Sequence, residues 1–397
     1  MFLRVGNEKK VKIKRYIKTL FYFCNDKKYP FLCILLFIEL MKKLFVFLGV
    51  VLMTIGSAVR AQEADSTVTL QKSSWGDAET SETTDFIPDI YLDSRVGYNH
   101  YLPDGAGRFG ATGLYLDING YISPRLSYSF NQILAADYFA TMPTGFDATQ
   151  WLNFTYEVSD FSFTMGKLSS IVGNFEYDAD VLDAYFDMNS MFYNMFDCYQ
   201  WGVAAGWYPA DNQSVLFQFT NSPLATADSQ FAYNLAWRAE WDCYEPYWSV
   251  NLWQFGQGLY MKGLNLGNRF HFGGFDCDIE YMSRAADIKG MFRDDFNLIL
   301  APSYSFGEWL RIFGKFGWEY TSEDLPYDLA YEEYKGGDYV YYGAGLEIFP
   351  FSECRDVRIH AFWAGNNFGD NLLNIGLRWK IDVTSTVKKL IRRTSDN

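Results

Sequence analysis

Every second residue near the end of the chain is apolar: Leu373, Ile375, Leu377, Trp379, Ile381 and Val383. The residues between them are Asn374, Gly376, Arg378, Lys380 and Asp382. A period of two over this length predicts a strand with one oily and one wet face. About ten residues is what a tilted strand needs to cross the hydrocarbon of a bilayer. A soluble sandwich can use the same strand with its oily face turned inward, so recurrence has to decide. The pattern does recur. Ile90, Leu92, Val96 and Tyr98 alternate with Tyr91, Asp93, Arg95 and Asn99. Leu114, Leu116, Ile118 and Ile122 alternate with Tyr115, Asp117, Asn119 and Tyr121.

This grammar predicts about sixteen strands, at 89–101, 107–122, 125–135, 148–158, 160–167, 200–208, 213–221, 230–241, 246–255, 264–273, 275–284, 294–306, 309–321, 338–351, 356–366 and 371–383. Short connectors such as Ser123-Pro124, Ser159-Asp160 and Gly307-Glu308 alternate with long ones at 136–147, 168–199, 222–229, 256–263, 285–293 and 322–337. An even strand number, with short turns at one end and long loops at the other, predicts an all-β transmembrane antiparallel barrel. Tryptophans near strand ends (Trp201, Trp207, Trp241, Trp248, Trp318, Trp379) fit two interfacial girdles.

Composition agrees. Aromatic residues make up 19% of the 397, yet mean hydropathy is only -0.14. Membrane-spanning helices would raise that value; alternating strands do not. Residues 41–61 read as a secretory signal: Lys42 and Lys43, an apolar Leu44–Ile55 core, and Val59 and Ala61 before cleavage. Residues 1–40 then precede the true start. Segment 62–86, rich in Ser, Thr and Glu, reads as a flexible periplasmic lead-in. The barrel is expected over 87–383, followed by a basic tail at 384–397.

Removing 1–61 takes away 12 of the 34 basic and 3 of the 48 acidic side chains, leaving 22 and 45, a net charge of −23. Such a surface repels nucleic acid. Cys198, Cys243, Cys277 and Cys354 remain in an oxidising compartment, where four cysteines allow three pairings. They lack the close pairs of a zinc site, and no metal or cofactor is expected. His100, His271 and His360 are isolated, and no hydrolase or phosphate-loop motif appears, so the chain is not expected to be an enzyme.

The sequence resembles the phosphate-selective porin O/P family from about Pro88 to Val383. The resemblance rests on Asp93–Tyr98, on Ser162-Phe163-Thr164-Met165-Gly166-Lys167 leading into a long loop with Gly173-Asn174-Phe175-Glu176-Tyr177, and on Trp201–Asn221. It implies a sixteen-stranded barrel, usually trimeric, with the third outer loop folded into the pore, here 168–199. Two features depart from the family. No Lys or Arg occurs from Leu168 to Trp237, where phosphate-specific members carry basic residues, and the chain runs on past the last strand. Phosphate specificity is therefore not expected.

The wet face gives the candidate pore lining: Arg95, Asp117, Arg238, Arg269, Arg311, Lys315, Arg358 and Arg378. Glu176, Asp178, Asp180, Asp183 and Asp187 have no basic partner nearby in sequence and would form a negative constriction with a weak cation preference. Loop 322–338, with six carboxylates, reads as a solvated surface. The expected function is passive diffusion of small hydrophilic solutes or ions through a homotrimeric barrel in the outer membrane of a Gram-negative bacterium, in contact with lipid and lipopolysaccharide. The alternatives are a non-conducting surface barrel that binds partner proteins, and a barrel enzyme using His271 or His360.

Overall fold

The computed structural model describes residues 87–102, 104–136, 144–351 and 355–387. The expected leader, signal and lead-in segments, Cys354, and the tail beyond 387 lie outside these residues.

Sixteen antiparallel strands close on themselves. In order they are β1 (Asp89–Tyr101), β2 (Gly107–Ser123), β3 (Leu126–Ala135), β4 (Thr149–Val158), β5 (Phe161–Ser169), β6 (Tyr199–Ala210), β7 (Gln213–Asn221), β8 (Phe231–Ala239), β9 (Tyr244–Gly256), β10 (Leu259–Phe272), β11 (Phe275–Ala285), β12 (Asp295–Phe306), β13 (Leu310–Thr321), β14 (Gly337–Ile348), β15 (Val357–Asn366) and β16 (Asn371–Asp382). Each strand pairs with its sequence neighbours, and β1 also pairs with β16, with Val96 opposite Leu377 and Gly97 opposite Gly376. Closure leaves no unpaired edge, which is the condition for a sheet to cross hydrocarbon.

The period-two rule sets the two faces. On β4 and β5, Phe154, Tyr156, Val158, Phe161, Phe163 and Met165 are exposed on the outside, while Ser162 between them is buried. On β9, Trp248, Val250 and Leu252 point out, and Ser249, Asn251 and Trp253 are buried inside. The oily faces of the strands therefore face outward and do not meet each other. Among the described residues no helix is long and apolar enough to cross a membrane.

Two expectations are corrected. The connector expected at 256–263 is only Gln257-Gly258: β9 runs to Gly256 and β10 starts at Leu259. Gly258, at φ +70°, takes the left-handed conformation that a two-residue hairpin needs and that only glycine adopts cheaply. Alternation is lost to the eye here because Trp253 and Met261 are apolar yet inward, both fully buried. Loop 322–338 is not wholly solvated either. Tyr327, Leu329 and Ala330 are buried, with Tyr327 against Phe255 at 5.6 Å between ring centres. Its acids do stay in water, as for Glu332 and Asp328.

Candidate functional site

The connection from β5 to β6, residues 170–198, is the third on the long-loop end, and it lies across the lumen. It contains two short helices, α1 (Phe175–Asp178) and α2 (Met191–Met195). Wall carboxylates hold the start of each. Glu280 on β11 accepts from the amides of Phe175 at 2.8 Å and Glu176 at 3.1 Å. Glu319 on β13 accepts from those of Met191 at 2.7 Å and Phe192 at 3.3 Å. These helix-start amides have no partner within the helix, so an inward glutamate fixes position and charge together.

Polar wall residues bind the loop backbone elsewhere. The Ile171 amide donates to Gln218 Oε1 at 3.0 Å, and Asn251 Nδ2 donates to the Ile171 carbonyl at 2.7 Å. The Gly173 amide donates to Ser249 Oγ at 2.8 Å, and the Gly267 amide of β10 donates to the Gly173 carbonyl at 2.9 Å. A Cβ on Gly173 would sit 2.4 Å from the Ser249 nitrogen, so only glycine lets the loop lie this close to the wall.

On the β8–β11 side the seal is apolar. Phe192 and Phe196 pack with Trp253, Met261, Met282, Ala232, Phe255, Tyr327 and Leu329 in a dry cluster inside the barrel. Beneath it Arg284 is fully buried with two carboxylates, Asp295 and Glu319, and its guanidinium lies 4.5 Å from the centre of the Phe192 ring.

The loop acids do have basic partners, supplied by the wall. Glu176 accepts from Lys315 Nζ at 2.7 Å and also from Ser190 Oγ. Asp178 accepts from Arg238 Nη1 at 2.9 Å. Asp183 pairs with Arg358 at 2.5 Å and with Arg378. Asp180 lies 3.7 Å from Arg378. The expectation of an uncompensated negative run is corrected, because 60 to 198 residues of sequence separate these partners. With it goes the ground for a cation preference. Burial alone would raise Asp183, but Arg358 and Arg378 outweigh it and hold the carboxyl below its ordinary value. Asp180 moves the other way, to about 6, because it is enclosed in the barrel and repelled by Asp183. Asp187, near the loop tip, is also raised by its enclosure within the barrel.

The remaining lining candidates point inward as well. Arg269 bonds Asp278 at 2.6 Å and lies 4.0 Å from the centre of the Phe175 ring. Arg311 reaches Glu347 at 3.5 Å. Asp117 accepts from Asn131 at 2.6 Å. Arg95 donates to the carbonyls of Leu182 and Ala184 at 2.9 and 2.7 Å. The residues that sequence reasoning left out of the site are its anchors, Gln218, Ser249, Asn251 and Trp253. Gln218, Ser249 and Asn251 are polar at inward positions, and that was the available signal; Trp253 gave none.

His271 bonds Asp276 at 2.7 Å, and His360 bonds Asn374 at 2.9 Å. Among the described residues no histidine is hydrogen-bonded to a serine or cysteine. Cys198, Cys243 and Cys277 carry no disulfide, and burial pushes the Cys198 thiol up to about 12.

No family profile matches the chain, and no curated protein sequence is significantly similar to it. Solved structures do match in fold. OmpT, an outer membrane protein of Vibrio cholerae, in a form lacking loop L8, aligns with a TM-score of 0.54 at 14% identity, covering 74% of this chain and 99% of that one. A mutant of the Rh. blastica porin aligns at 0.53 and 12% identity, covering 74% of this chain and 100% of that one. OmpT of Vibrio cholerae in its trimer form aligns at 0.51 and 13%, covering 74% and 99%. The chain has a porin fold: a closed sixteen-stranded barrel with an inward third loop.

Proposed function

We propose that the chain is an outer-membrane porin of a Gram-negative bacterium. Small hydrophilic solutes or ions cross it down their gradient, through a barrel constricted by the inward loop. The observation that carries this is the loop itself. It is held to wall strands around the lumen by charge-assisted bonds, while the outside of the barrel is oily. A barrel of this strand number encloses a wet lumen, and a loop fixed across it sets the width and the local charge of the passage.

The finer parts of the reading belong together. The resemblance to the phosphate-selective porin O/P family supports a homotrimer, as does the trimer form of one structural neighbour. The absence of Lys and Arg from the loop argues against phosphate specificity. The short-turn end would face the periplasm and the long-loop end the cell surface.

The dry cluster around Phe192 and Trp253 favours a second reading, a surface barrel whose lumen is closed. Single-channel recording in planar bilayers under a salt gradient separates the two. The porin reading expects stepwise ohmic conductance; a folded protein that gives none would establish the closed barrel.

A further inference from the structure

On the long-loop side of the inward loop, a cavity of about 200 Å³ lies between the loop tip and the wall of β1, β2, β15 and β16. It is smaller than the roughly 300–1,000 Å³ of drug-sized pockets. Two arginines line it. Arg95 is 5% exposed and has no carboxylate partner among the described residues. Its Nε donates to Thr112 Oγ1 at 2.9 Å, Nη1 is used by two loop carbonyls, and its guanidinium lies 5.0 Å from the centre of the Tyr185 ring. Its Nη2 makes no hydrogen bond there. Arg108 is exposed and forms no ion pair among the described residues. Against these two cations the cavity holds one carboxylate, Asp187.

The remaining walls suit an organic body. Tyr185 and Phe186 present rings from the loop, and Asn99, His360, Phe362 and Asn374 line the barrel wall. Gly376, Gly97 and Gly110 stand side by side across β16, β1 and β2. A Cβ on Gly376 would come within 2.5 Å of His360 Nε2 and of the Val96 carbonyl. His360 therefore covers Gly376, and it is Gly97 and Gly110 that line the cavity, a low stretch of wall beside the two arginines.

Building on the porin reading, we infer that this cavity is a solute subsite for small organic carboxylates, held by Arg95 and Arg108 with the carbon skeleton against Gly97, Gly110 and the rings of Tyr185 and Phe186. Arg108, with its fork of donors unpaired, can meet a planar carboxylate in two parallel bonds, and Arg95 adds a single bond from Nη2. Titration calorimetry on the folded protein in detergent tests the subsite with three probes: benzoate, benzamide and inorganic phosphate. Benzoate should bind, with benzamide and phosphate at least about tenfold weaker. Arg108→Gln, at an exposed position, should weaken benzoate about tenfold, and Arg108→Lys should restore part of the loss. Benzamide or phosphate binding as well as benzoate would overturn the subsite, and so would an Arg108→Gln protein that binds benzoate normally. Conductance is read separately, so a barrel that binds benzoate but carries no current would fail the porin reading and keep the subsite.

Discussion

Lys315 on β13 donates to Glu176 of the inward loop at 2.7 Å, across 139 residues of sequence. Glu176 is itself buried, and the other bonds to its carboxylate come from the amide and hydroxyl of Ser190 within the same loop. Removing one partner of a buried pair leaves an uncompensated charge and costs about 3–5 kcal/mol. Lys315→Met should therefore loosen the loop rather than the barrel. Amide hydrogen exchange should rise across 170–198 and stay slow in the strands. The double variant Lys315→Met/Glu176→Gln should recover part of the protection, because it removes both charges.

Asp180 carries a pH dependence of definite sign. Its pKa, raised to about 6 by enclosure in the barrel and by Asp183, means that the folded state keeps a proton that the unfolded chain has already released. Seating of the loop thus becomes less favourable as pH rises through that window. Asp183 works in the opposite sense: held low by Arg358 and Arg378 after burial is offset, it contributes stability above its ordinary value that is lost only in stronger acid. Lowering the pH through about 6 removes one negative charge beside Arg378 and should shift the reversal potential toward anions. In Asp180→Asn the shift should vanish, and recording between neutral and mildly acid pH checks it.

Trp253 faces the lumen yet is fully buried, with the ring of Phe196 at 5.2 Å and that of Phe192 at 6.1 Å. Truncating a core aromatic costs about 3–5 kcal/mol. Here the loss falls on the contact between loop and wall. Trp253→Ala should lower the unfolding midpoint in detergent. It should also make the loop end near Phe196 cleavable by added protease, which the parent protein should resist.

The strands were legible because each obeys a local rule. Both the expected and the observed β1 span Asp89–Tyr101, and β7 likewise spans Gln213–Asn221. Inward charges such as Arg95, Arg238 and Arg378 follow from the same period. What the rule could not supply was anything set by the loop. Trp253 and Met261 are apolar on the wet face because Phe192 and Phe196 lie against them, so the β9–β10 hairpin lost its alternation and read as a loop. The neutralisation of Asp178 and Asp183 was equally hidden, since Arg238 and Arg378 meet them only once the barrel is closed.

The two faces of one strand give the most direct test of the membrane reading. Phe154 and Thr155 are neighbours near the middle of β4. Phe154 is 47% exposed on the outer surface, and Thr155 faces inward, where its hydroxyl lies 3.0 Å from that of Thr164. In lipid, an arginine at an outward midplane position costs about 2–4 kcal/mol, whereas a lumen position is wet. Phe154→Arg should therefore reduce folding into lipid vesicles by about that amount, and Thr155→Arg should fold nearly as well as the parent while changing conductance. Were the outer face in water instead, arginine at Phe154 would be harmless, because exposed surface substitutions usually stay within about 0.5 kcal/mol. Equal folding of the two variants into vesicles would thus remove the bilayer from the account, and with it the channel.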